Sequence, residues 1–151
     1  MKSYTQMFAH LEWANAKIAK ALRAGGEEQA QALKLFAHTL GAERVWLTRI
    51  RGEDSSALAI WPELDMAACE SLMEINAQGF RDVLEQADER QLAEEIVYRN
   101  SAGTQYRTVL ADILLHTALH GMYHRGQINH LLRLGNLEPA SVDYILYARE
   151  N

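Results

Sequence analysis

The stretch LADILLHTALHGMYHRGQINHLLRLG, residues 110–135, constrains this chain more than any other. Leu110, Ile113, Leu114, Ile128, Leu131 and Leu132 recur at helical spacing through it, with Thr108 placed as an N-cap and Gly135 as a stop. The pattern predicts one long helix with a buried face. At roughly 100° per residue, the apolar positions centre on a direction from which His124 departs by about 10°, His120 by about 50° and His116 by about 90°. Two imidazoles therefore stand where leucines belong.

A neutral imidazole in such a slot still needs hydrogen-bond partners, and a charged one is disfavoured without an anion beside it. The ordinary answer for a core histidine is a backbone carbonyl or a buried water. The alternative is a metal ion. Residues four apart on a helix keep their Cβ atoms roughly 5 to 6 Å apart, so the rings of His120 and His124 can converge on one ion at about 2.0–2.1 Å.

The chain has 151 residues, enough for one domain spanning 1–151 with its own core and no need of a metal as a folding staple. Few β-branched runs and abundant Ala, Leu, Glu and Arg point to an all-α protein. The lone Cys69 excludes an internal disulfide and fits a reducing compartment, and its apolar neighbours Met66, Leu72 and Met73 suggest inert packing. A formal charge of −5 with scattered Lys and Arg argues against nucleic-acid binding, which needs a concentrated basic face. No signal-peptide core and no membrane-length apolar run is visible, so the expectation is a soluble, cytoplasmic protein without a membrane partner.

Along the chain, Ser3 and Gln6 suggest a capping box, after which Tyr4, Met7, Phe8, Leu11, Ile18 and Leu22 trace a first helix ending at Gly25-Gly26. His10 falls on the flank of that stripe, a reserve ligand at most, and Asn15 lies on the core side, where it needs a bonded partner. A second helix from about Glu27 to Arg51 is apolar on two sides, as expected of a helix between layers, here the core and a second subunit. His38 belongs to its second face, though spacing alone does not make it a ligand. GEDSSALAIWPELD reads as a long loop in which Trp61 either anchors the loop or walls a pocket. Asp65 caps a third helix, whose buried face runs through Cys69, Asn76, Phe80 and Leu84 and which fades near Ala87-Asp88. EIVYRNSAGTQY suggests a small hairpin or irregular loop, and DYILYARE a short terminal helix packed by Tyr144, Ile145 and Tyr147.

Four long helices with a long second connection, followed by HGMYHRGQINHLLRLG, resemble the DinB/YfiT-like family of metalloenzymes over almost the whole chain. The block of His120, His124, Arg125, Gly126 and Gln127 carries most of the likeness. AHTLGAERVWLTRIRG resembles the family's second helix, and Trp61-Pro62 and the closing Asp143-to-Glu150 segment also look like family features. The resemblance implies a four-helix bundle in which His38, His120 and His124 hold a divalent ion, commonly zinc or nickel. His116 then becomes a supporting histidine, and His130, about 130° from the helix's apolar centre, an exposed one. Related branches include thiol-dependent S-transferases and a thiol-dependent isomerase, which implies a low-molecular-weight thiol and a small-molecule substrate.

Three neutral imidazoles would leave an ion with its full charge and an open position, the pattern of a catalytic site. A zinc protease is excluded, because it would carry glutamate directly after the first histidine of the pair, where this chain has Gly121. Glu43, Tyr123 and Gln127 are candidates to support the ligands. Arg125 reads equally as a group for an acidic substrate or as half of a helix-surface ion pair. The expected function is that of a metal-dependent enzyme of the thiol transferase or isomerase type; the alternative is a non-catalytic, metal-binding stress-response homodimer.

Overall fold

The computed structural model describes residues 2–150. Its helices are α1 (Lys2–Gly25), α2 (Ala30–Ile50), α3 (Met66–Gln86), the single-turn α4 (Glu89–Leu92), α5 (Leu110–Leu134) and α6 (Tyr144–Glu150). A hairpin of β1 (Glu95–Arg99) and β2 (Gln105–Val109) precedes α5, antiparallel with Val97 opposite Arg107. This is the expected all-α four-helix bundle, with a small two-stranded appendage.

Four long helices form the bundle in the ring order α1, α3, α2, α5, so α1 and α2, consecutive in sequence, stand diagonally and scarcely touch. Helices α2 and α3 are neighbours in the ring, yet the link between them, residues 51–65, is long and runs back as a loop along α2. Gly41 makes this close approach feasible: a Cβ there would lie 2.9 Å from Pro62 Cδ.

The core has two apolar layers. One gathers Ile18, Leu22, Phe36, Leu40, Cys69, Ile128 and Leu132; the other gathers Phe8, Leu11, Leu47, Phe80, Leu84, Leu110 and Leu114, with the Phe8 and Phe80 rings 4.5 Å apart. Between them each long helix contributes one buried polar side chain: Asn15, Glu43, Asn76 and Arg125. Each interrupts its helix's apolar stripe at the same level.

Several local expectations hold. Asp65 caps α3 by accepting from the Ala68 backbone N–H at 2.8 Å, and the hairpin lies where EIVYRNSAGTQY placed it. Others need correction. Thr108 does not cap α5; it lies in β2, which continues to Val109, and its hydroxyl meets Tyr98 Oη at 3.2 Å. Pairing with β1 holds residue 108 in extended backbone, and that wins over its capping preference. Helix α2 begins at Ala30 instead of Glu27, because Gly26, at φ 64°, breaks the chain and a 3₁₀ turn follows over Gly26–Gln29. The turn α4 was not foreseen, although Asp88 and Gln91 close a capping box on it. In α6, Tyr144 and Tyr147 pack on His10, while Ile145 points outward and is 54% exposed.

Candidate metal centre

The second face of α2 and the buried face of α5 meet along their length, and there the structure brings His38, His120 and His124 together. One ring nitrogen from each lies within 4.8 Å of the other two. His38 and His124 are buried and His120 is half-buried. The ring planes are turned on one another, at 90° for His38 and His124 and 72° for His120 and His124, so the nitrogens converge while the faces do not stack.

Two of the three rings are fixed from behind. His38 Nδ1 donates to the Ile60 carbonyl at 2.7 Å, and His124 Nδ1 donates to Gln127 Oε1 at 2.7 Å. An imidazole whose Nδ1 carries the donated proton presents a bare lone pair at Nε2 when neutral. His124 Nε2 then lies 3.1 Å from His120 Nε2. Two lone pairs at that separation repel unless a proton or a cation lies between them. Nitrogens bound tetrahedrally to one ion at about 2.0–2.1 Å stand about 3.3 Å apart, so the pair is already near the spacing a divalent ion requires. The donor set and the hydrogen bonds behind it fit such a group.

Without an ion, a neutral His120 can fill the gap by carrying its proton on Nε2 and donating to His124 Nε2, a proton that a bound ion would displace. What burial disfavours is the doubly protonated, charged ring. Burial holds His120 well below the ordinary histidine value, at about 4, and the neighbouring His124, His38 and His116 push it further down. His38 is also lowered, first by burial and then by His124, with its bond to Ile60 opposing. Neutral imidazoles at physiological pH are the form that ligates metal.

The loop from α2 to α3 supplies what sequence reasoning could not see. It offers the Ile60 carbonyl, a backbone group without a side-chain signature, and it lays Trp61 flat on His38, centroids 3.8 Å apart and planes 10° from parallel. Trp61 thus walls the site and anchors the loop at once. Of the residues named as candidates to support the ligands, Gln127 holds the His124 ring by its hydrogen bond, whereas Tyr123 meets His124 edge-on at 5.1 Å and is 66% exposed.

The other candidate residues lie elsewhere. Glu43 takes no part in the triad: its oxygens accept from Asn15 Nδ2 at 3.0 Å and Asn76 Nδ2 at 3.3 Å. Burial raises its carboxyl above the ordinary value, opposed by Asn15, by the Arg125 charge and by Asn76. Arg125 is neither exposed nor ion-paired at the surface. It is 1% exposed and donates from Nη1 to Asn15 Oδ1 at 2.9 Å, in space left free because Gly121 has no Cβ. His10 is buried on the far side of α1, where it donates to the Val142 carbonyl at 2.7 Å. His116 is exposed, against Trp46 and 5.6 Å from His120, and His130 is exposed as expected. Burial pushes the Cys69 thiol up to about 11, in keeping with an inert packing role.

No helix among the described residues is long and apolar enough to cross a membrane. The chain is 24% identical to Protein DinB of Bacillus subtilis (strain 168) over an alignment covering 94% of this chain and 91% of that one. The DinB family model matches residues 1–151. With this match over its full length, and with the bundle and histidine cluster as described, the chain belongs to the DinB family.

Proposed function

We propose that this protein holds a divalent ion, zinc or nickel, on His38, His120 and His124, and that it is a cytoplasmic enzyme joining a low-molecular-weight thiol to a small electrophilic substrate. The convergence of three imidazole nitrogens within 4.8 Å of one another, with two rings locked by hydrogen bonds from behind, carries the reading. An ion bound there would supply Lewis acidity, lowering the pKa of a thiol or water or polarising a carbonyl.

The chain's own contribution is to orient and to shield. Ile60 and Gln127 keep the Nδ1 protons of His38 and His124 turned away from the centre, which leaves both Nε2 atoms free to bind. Trp61 covers one face of His38 and keeps water from it. Neutral ligands add no negative charge, so an anionic thiolate is not repelled by the site that receives it. The half-buried ring of His120 leaves the centre open on its outer side.

Elemental analysis of protein purified without an affinity tag, beside His120→Ala and His124→Ala, tests metal binding. A screen of thiols against electrophiles, with and without metal, tests the reaction. Wild type carrying no more metal than the variants would defeat the first, and thiol consumption unchanged in the variants would defeat the second.

A second reading, a non-catalytic metal-binding homodimer of the stress response, draws support from the surface of α5. Leu115, Leu119, Tyr123 and Leu134 follow one another along it at 44 to 68% exposure. The second face of α2 is instead occupied by the chain's own loop and by the Tyr98 ring against Trp46. A dimer by light scattering, together with metal-linked stability and no turnover, would favour this reading.

A further inference from the structure

The last turn of α2 carries a cation that the metal centre does not use. Arg49 is 91% buried by its 9% exposure, and its Cζ lies 4.7 Å from the Trp46 ring centroid and 4.8 Å from that of Tyr98. The two rings meet at 76°, so the guanidinium is held in the corner between them. Its Nε donates to Ser55 Oγ at 3.1 Å. Among the described residues no carboxylate pairs with it, and neither Nη atom has a hydrogen-bond partner, yet neither is enclosed: the fully buried, unsatisfied side-chain atoms are Asn76 Oδ1 and Arg125 Nε. The Nη edge therefore keeps access to the space beside it.

That space is a groove of 540 Å³ between residues 52–56 and the turn of the hairpin, lined by Arg49, Ser55, Ser56, Tyr98, Arg99 and Asn100 among others. Its size is that of a small-molecule site. A buried guanidinium without a counter-anion is a standing cost, and two aromatic faces offset it only in part. Clamping by the rings and by Ser55 leaves the planar Nη fork as the free edge, a shape that matches two coplanar oxygens. Glu53 and Asp54 also line the groove. They balance the charges of Arg49 and Arg99, which disfavours a dianion and admits a monoanion.

We propose that this groove is a binding subsite for the carboxylate of a small polar ligand, with Arg49 as the residue that grips it. No residue of the subsite is a ligand of the candidate metal centre, so the proposal does not depend on a bound ion. The subsite lies on the same helix as His38, eleven residues further on, or about 16 Å of helical rise.

The test is a ¹⁵N NMR titration of the whole chain, following the Arg49 Nε–H resonance, with sodium acetate, sodium phosphate and sodium chloride at matched ionic strength. Arg49→Lys identifies the resonance by its loss. The expected result is a saturable shift with acetate that chloride does not produce, weaker saturation with phosphate, and the same curve with a chelator present as with added zinc. Acetate binding followed on the backbone amides of residues 53–56 and 99–103 is expected to weaken about tenfold or more in Arg49→Lys, because a point charge cannot make the paired contact. Acetate acting no differently from chloride overturns the subsite, as does a folded Arg49→Lys that binds equally well. Phosphate binding more tightly than acetate overturns the carboxylate assignment. If Arg49→Lys does not fold, Arg99→Gln identifies its own resonance instead, and the wild-type titration alone decides.

Discussion

Two polar clusters are buried in this bundle, both drawing on α2 and α5, and they are built on opposite principles. In the layer of Asn15, Glu43, Asn76 and Arg125, donors face acceptors: Arg125 fixes the carbonyl end of Asn15, which turns the amide toward Glu43. Asn76 donates to both the Leu40 carbonyl and Glu43. The layer closes on itself, apart from Asn76 Oδ1 and Arg125 Nε. In the histidine cluster the donors are spent on the outside, on Ile60 and Gln127, and like atoms are turned toward one another inside. A closed network stabilises and specifies the fold, whereas a cluster whose outer donors are spent on the backbone and on Gln127 keeps ring nitrogens at its centre for a guest.

The contrast is sharpest in metal content. His120→Ala and His124→Ala should lose bound metal, from about one ion per chain to background, while circular dichroism stays that of the wild type. Retention of metal by both would merge the two clusters into one structural class. Next in size, Gln127→Leu leaves the triad whole but frees the His124 ring to turn, and metal affinity should fall about 10- to 100-fold in a chelator competition.

The closed layer should respond in the opposite currency, stability. Asn15→Leu strands Arg125 Nη1 and Glu43 Oε1 inside the bundle, and urea denaturation should show a loss of about 3 kcal/mol with metal stoichiometry unchanged. A loss below about 1 kcal/mol would mean that water reaches the layer.

The smallest effect expected is on the pH dependence of stability. Burial holds His10, His38 and His120 below the ordinary histidine value of 6.5, so the fold prefers their neutral forms. Their contribution is complete above that value and is lost as the pH falls through it toward the lowered values. Chelated protein should therefore be easier to unfold at pH about 5.5 than at about 7.5. His10→Leu should remove a share on the order of 1 kcal/mol or less from that difference. A stability that is flat or rises on acidification would contradict the sign.

Much of the bundle was legible because helical order is local. The stripes of α1, α3 and α5, the Asp65 cap and the four-residue spacing of His120 and His124 all involve residues within a few turns of each other. The pairing of residue 38 with that couple was not legible from spacing, since its face of α2 is as compatible with packing as with ligation; family likeness supplied it. Arg125 was misread for a related reason. Periodicity places an arginine near a buried face but cannot show that an asparagine 110 positions away accepts from it.

The sequence by itself determined that the chain is helical, where most helices begin and end, and that two imidazoles share one helical face, because these follow from backbone geometry repeated every few residues. The tertiary structure alone decided the ring order of the helices, the seating of Ile60 and Trp61 on His38, and the closure of the Asn15, Glu43, Asn76 and Arg125 layer. Those depend on which distant segments share a volume, and that is chosen by the packing of the whole chain against itself.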